Sequence, residues 1–155
     1  MDNPVEIGWI KGEDWVGIFN TEKNEYRIFI KNYGNNIWRY KFYLYQDKKL
    51  SVELTGFDYD KFKVLATIDK SFIDFIDEIN PDSVIFGAND DSDNRIKMYS
   101  RFANRIKRLY GYELSEQSKE STKEVNPTLF VLYKPSIDRN KLMDAIKSII
   151  SDELD

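Results

Sequence analysis

Two neighbouring runs hold the residues whose types and spacing could do chemistry. The loop Asn89-Asp90-Asp91-Ser92-Asp93-Asn94 crowds three carboxylates into six positions. Just after it, Lys97, Arg101, Arg105 and Arg108 recur at helical spacing and fall within an arc of about 80° at about 100° per residue. The carboxylates suit a hard cation held by oxygen ligands, with Asp58 or Asp60 as further donors. The same loop equally suits a plain helix cap, because acids favour a helix N-terminus. It lacks the central Gly and closing Glu of a calcium loop, so no metal ligand is assigned.

The cation stripe suits an anion. No acid lies between Asn94 and Tyr110, and the opposite side of the helix carries Tyr99, Phe102, Ala103, Ile106, Leu109 and Tyr110. Arg outnumbers Lys, which fits bidentate contacts to phosphate or carboxylate. The competing reading is a solvated face paired with acids elsewhere in the fold, helped by cations near a helix C-terminus. A second candidate surface lies in the run Trp38 to Tyr45. Trp38, Tyr40, Phe42 and Leu44 alternate with Arg39, Lys41, Tyr43 and Tyr45. The first set reads as core. The second reads as a partly wet face that would stack bases and grip phosphates, or meet a protein partner. Asp69, Asp74, Asp77 and Glu78 read as the wet side of a helix.

Other chemistry is excluded by composition. The 155 residues include no Cys and no His. Imidazole is the usual general base near neutral pH and the commonest transition-metal ligand. Ser-His-Asp triads, zinc fingers, zinc hydrolases and His-ligated haem therefore drop out, as do disulfides. Gly87-Ala88-Asn89 lacks the glycine pattern and Lys of a phosphate loop, and no Ser stands in a nucleophile elbow. No catalytic residue is assigned, no cofactor is expected, and the balance is against an enzyme.

The elements that must position these residues are legible from periodicity. Short apolar runs at Val5 to Ile10, Trp15 to Asn20, Tyr26 to Tyr33, Ile37 to Gln46 and Leu50 to Thr55 are separated by brief turn segments, so residues 1–57 predict an antiparallel meander of about five strands. Leu65, Ile68, Phe72, Phe75, Ile76 and Ile79 then fall at helical spacing, and Asn80-Pro81 stops that helix. Ser83 to Phe86 predicts a short covered strand, the helix carrying the cation stripe follows, and Gly111 ends it. Residues 115–126 are polar and aperiodic and predict a mobile loop. Thr128 to Tyr133 predicts a last strand, and Leu142, Ala145, Ile146, Ile149 and Ile150 a last helix. The expectation is a single α+β domain over residues 1–155: a β-meander, then helix-strand-helix-strand-helix.

Aromatic content of 15%, with ten Tyr and ten Phe, supports a real core. The net charge of −4 argues against nucleic-acid binding by the whole surface but permits a local basic patch. The start Met1-Asp2-Asn3-Pro4 is unlike a signal peptide and no run is long enough for a membrane helix, which predicts a soluble cytoplasmic protein without a membrane partner.

Residues 63–114 also carry a resemblance. Val64 with Thr67 and Ile68, Asp74-Phe75, Phe86 with Ala88, Arg95 with Tyr99, and the closing Gly111-Tyr112 are similar to the pattern of a group of small uncharacterised tailed-bacteriophage proteins. The resemblance implies a phage source and the cytoplasm of an infected bacterial host; it implies no mechanism. Three functional expectations follow. The first is a non-enzymatic interaction protein that binds a host or phage macromolecule, in the first place a protein, through the basic helix face and modulates host transcription, replication or defence. The second is nucleic-acid binding or magnesium-dependent phosphodiester processing. The third is a minor virion component.

Overall fold

The computed structural model describes residues 4–51, 61–88, 93–118 and 128–154. Five strands come first: β1 (Gly8–Lys11), β2 (Trp15–Asn20), β3 (Glu25–Asn32), β4 (Ile37–Gln46) and β5 (Lys49–Ser51). Then follow α1 (Lys61–Ile79), β6 (Ser83–Ala88), α2 (Asp93–Tyr110), β7 (Glu113–Ser118), β8 (Thr128–Tyr133) and α3 (Arg139–Leu154). The strands form one sheet in the order β1-β2-β3-β4-β6-β8-β7, with β5 paired to the far end of β4. Neighbours are antiparallel except β4 and β6, which run parallel through the α1 crossover.

Alternation along the strands sorts side chains between two faces. On one face Trp15, Phe19, Tyr26, Ile28, Ile30, Trp38, Tyr40, Phe42, Leu44, Val84, Phe86, Phe130 and Leu132 join the apolar sides of α1 and α2 in the main core. On the other, Ile37, Ile85 and Val131 pack against Leu142 and Ile146 of α3. Helix ends follow the backbone chemistry of their residues. Asn80, at φ 51°, closes α1 before Pro81. Gly111, at φ 74°, closes α2 with its amide donated to the Lys107 carbonyl 2.9 Å away.

The α+β architecture agrees with the sequence expectation, and one segment corrects it. Residues 113–118 form strand β7, hydrogen-bonded to β8, so the order after α2 is strand-strand-helix and the expected loop at 115–126 begins with a strand. Its polar side chains are those of a sheet edge, where backbone pairing decides structure and only Ser115 is buried among the described positions. The remainder of that expected loop, 119–127, lies outside the described residues, as do 52–55 of the expected fifth strand.

Two close contacts seal the ends of the main core. Trp9 of β1 lies over Gly17 of β2: a Cβ built on Gly17 would sit 2.7 Å from the Trp9 ring and 3.0 Å from Ile7. Tyr112, buried after α2, donates its hydroxyl to the Pro81 carbonyl at 2.6 Å, and burial with the nearby Asp82 carboxylate pushes its pKa up to about 12. A pKa raised in the folded state adds stability that is complete below the ordinary value near 10 and is lost as pH rises through about 12.

Gly17→Ala is expected to cost about 1–3 kcal/mol by overpacking, read by urea unfolding with Trp fluorescence; an unchanged or higher stability would show that Trp9 yields without strain. Tyr112→Phe is expected to cost about 1 kcal/mol at neutral pH through the lost hydrogen bond. Its stability should also decline less steeply than the parent's between pH 10 and 12, and parallel alkaline profiles would refute the assignment.

Candidate docking surface

The side of the sheet that carries α3 extends beyond it over β1 to β4. There Ile10, Val16, Phe29 and Lys41 lie in one row across the strands, and Gly8, Ile18, Arg27 and Tyr43 in the next. Glu25 opposes Tyr45 in a third row, and Lys31 opposes Arg39 at the end nearer α3. Ile10 is 72% exposed, and Val16, Ile18, Phe29, Tyr43 and Tyr45 are half-buried and belong to neither core cluster. Four cations, Arg27, Lys31, Arg39 and Lys41, stand on these outward positions of β3 and β4 against one acid, Glu25.

The groups on this face brace one another. The Arg27 guanidinium lies 3.7 Å from the centroid of the Tyr45 ring, a cation–π contact, while its Nε donates to Glu25 at 3.0 Å. Phe29 and Tyr43 meet edge to face at 5.7 Å. Lys31 sits 5.2 Å from the Tyr33 ring. Rings and cations thus stand side by side on this face.

The four residues expected on β4 separate here. Lys41, Tyr43 and Tyr45 are half-buried on the outer face. Arg39 is only 6% exposed, a correction to its expected place on a wet face, since its position lies toward the sheet centre beside Ile85 of β6. The sequence reading missed Arg27, Phe29, Lys31, Val16, Ile18 and Ile10. In β3 the outward Phe29 stands between the inward Ile28 and Ile30, so the strand reads as one apolar run. Its alternation was recoverable only from Arg27 and Lys31.

The expected stripe on α2 is exposed at all four positions, Lys97, Arg101, Arg105 and Arg108. Arg105 is ion-paired with Asp69 of α1. Asp69 is therefore a half-buried partner between helices and not part of α1's wet side. Burial raises its pKa above the ordinary carboxylate value, and the Arg105 charge and hydrogen bond oppose that rise. At the end of α2, Tyr110 donates to Asp77 of α1 at 2.5 Å. Leu109 (59% exposed) and Tyr110 (37%) are not part of the buried side expected for them; Tyr110 reaches Asp77 of α1 instead.

A notch of about 420 Å³ lies between β1, β2 and the end of α1, lined by Trp9, Lys11, Trp15, Asp74, Asp77 and Glu78. Its acids are engaged: Glu78 accepts Lys11 at 3.0 Å, Asp74 accepts Lys70 at 2.6 Å, and Asp77 accepts Tyr110. Lys11 also sits 4.4 Å from the Trp15 ring. Among the described residues no group of His, Cys, Asp or Glu side chains is placed to hold a metal ion. The acidic loop at 89–92, the Asp93 side chain, Asp58 and Asp60 lie outside what is described. No described helix is long and apolar enough to cross a membrane.

No family model matches the chain, and no curated protein matches it.

Arg105→Gln removes the charge that opposes burial of Asp69, so the Asp69 pKa should rise further. A raised carboxylate pKa penalises the fold above that pKa and not below it. The variant is expected to lose about 1 kcal/mol at pH 7, the modest scale of a pair with one exposed partner, and to recover most of it near pH 4. A loss equal at both pH values would mean that the pair does not govern Asp69.

Proposed function

We propose that this is a non-catalytic binding protein that docks an anionic macromolecule through the outer face of β1 to β4. The observation that carries the reading is the composition of that face: a contiguous set of rings and aliphatic groups outside both cores, interleaved, among the described residues, with Arg27, Lys31 and Lys41 and one acid, Glu25, in a protein of net charge −4. Apolar surface left outside a core marks interaction sites, and segregated positive charge favours anionic partners. The α2 stripe is the lesser surface, because the rings along its length, Tyr99 and Phe102, are buried in the core and not displayed beside its cations. The absence of His and Cys supports a binding role over a catalytic one. The resemblance of residues 63–114 to small tailed-phage proteins supports a phage source and action in the cytoplasm of an infected host.

Retention on immobilised heparin, a generic polyanion, separates the two surfaces. Lys31→Glu combined with Lys41→Glu should shift elution to lower salt more than Lys97→Glu combined with Arg101→Glu, with circular dichroism unchanged in both. Equal or reversed shifts would move the docking site to α2 and sink this reading.

A further inference from the structure

The outer face is richer in rings than an anion site needs. A polyanion held by charge alone requires Lys and Arg, yet Phe29, Tyr43 and Tyr45 stand among the cations with Ile10, Val16 and Ile18 beside them. We propose that the anionic macromolecule is a single-stranded nucleic acid, its bases stacking on Phe29, Tyr43 and the Arg27–Tyr45 pair and its phosphates running past Lys31 and Lys41. This rests on the reading of that face as the docking surface and names its occupant.

Three features select single strands over the other anionic partners. An acidic protein segment would meet the cations with carboxylates but needs separate apolar side chains to cover the rings, whereas every nucleotide carries a ring and a phosphate together. A duplex presents phosphates but keeps its base faces stacked, so surface rings cannot reach them; an unpaired strand exposes a π-face on every base. The ring geometry agrees: Phe29 and Tyr43 meet at 62°, so their faces point in different directions and suit bases that are not stacked on one another.

The same face predicts weak sequence preference. Reading a base edge takes a bidentate donor or carboxamide. The one Arg standing among the rings, Arg27, already donates Nε to Glu25 and sits 3.7 Å from the centre of the Tyr45 ring, so it braces that ring and is drawn away from base edges. Bases would thus be held by their faces, and affinity would follow stacking strength.

The test is fluorescence anisotropy with a labelled oligodeoxythymidylate of about 15 nucleotides, within the usual footprint of such surfaces, and with a duplex of the same length. The single strand should bind at least about tenfold tighter than the duplex, weakening with salt at a log–log slope of about 0.7 per phosphate neutralised. Tyr43→Ala should lower affinity about tenfold, the scale of one lost stack, and Tyr43→Phe should keep it. Tyr45→Leu, which retains apolar volume and removes the aromatic face, should weaken binding to a similar extent and replaces Tyr43→Ala should that variant fold poorly. Lys41→Gln should weaken binding and flatten the salt slope. Duplex binding equal to single-strand binding, or Tyr43→Ala and Tyr45→Leu both binding like the parent, overturns the inference. Heparin retention through Lys31 and Lys41 without oligonucleotide binding also overturns it while leaving the docking surface standing; loss of both overturns both.

Discussion

Strand β4 imposes the constraint on which the rest of the molecule depends. It is ten residues long and pairs with β3 along its length, with β6 at its start and with β5 at its end. Every even position from Trp38 to Leu44 points into the main core, and the odd positions face the other side. Because side chains alternate with period two, a slip of one residue would bury Lys41 and Tyr43 and expose Tyr40 and Phe42. Tyr40 adds a polar pin to this register: its hydroxyl lies 2.5 Å from Ser71 of α1, whose Oγ donates to the Ile68 carbonyl. The meander and the helical half therefore share one strand and one core.

That core is aromatic and its rings interlock. Phe86 of β6, fully buried, stacks on Phe130 of β8 and meets Phe72 of α1 edge to face, with Tyr99 of α2 at 5.6 Å. Trp15 and Trp38 both contact Phe75 of α1 edge to face. Such pairs contribute about 0.5–1.5 kcal/mol each beyond the area they bury. Their more important effect here is rigidity, since flat rings wedged between sheet and helix leave little room for sliding. The outer face is the back of this rigid layer.

Much of this was legible in the sequence where two signals coincide. On β4 a period of two coincides with strong aromatics, and on α1 a period of 3.6 runs up to Asn80-Pro81. Of the pattern singled out by resemblance, Val64, Thr67, Ile68, Phe75, Phe86, Tyr99 and Tyr112 are buried, while Asp74 and Gly111 are exposed. Legibility failed where tertiary position overrides side-chain pattern. Strand β7 is held by backbone pairing at an edge, so its polar residues carry no periodic signal. Arg39 and Asp69 look solvated in sequence because charge usually is. Arg39 is buried toward the centre of the sheet, and Asp69 is half-buried beside the neighbouring helix. Leu109 and Tyr110 continue the apolar stripe of α2 yet stay exposed, and periodicity cannot say which members of a stripe the core covers.

The two cationic surfaces also differ in what a partner must immobilise. Lys97, Arg101 and Arg108 project from an exposed helix, and ordering such side chains costs up to about 2 kcal/mol each in rotamer freedom. On the sheet that ordering is largely done in advance. Arg27 is fixed between Glu25 and Tyr45, Phe29 against Tyr43, and Lys31 beside Tyr33. Preorganised contacts retain more of their interaction energy as affinity. Charge count alone would favour the α2 stripe, with four exposed cations against three on the sheet face, where Arg39 is buried. Rigidity separates them, and it does so through β4, whose inward residues anchor the layer that its outward residues display.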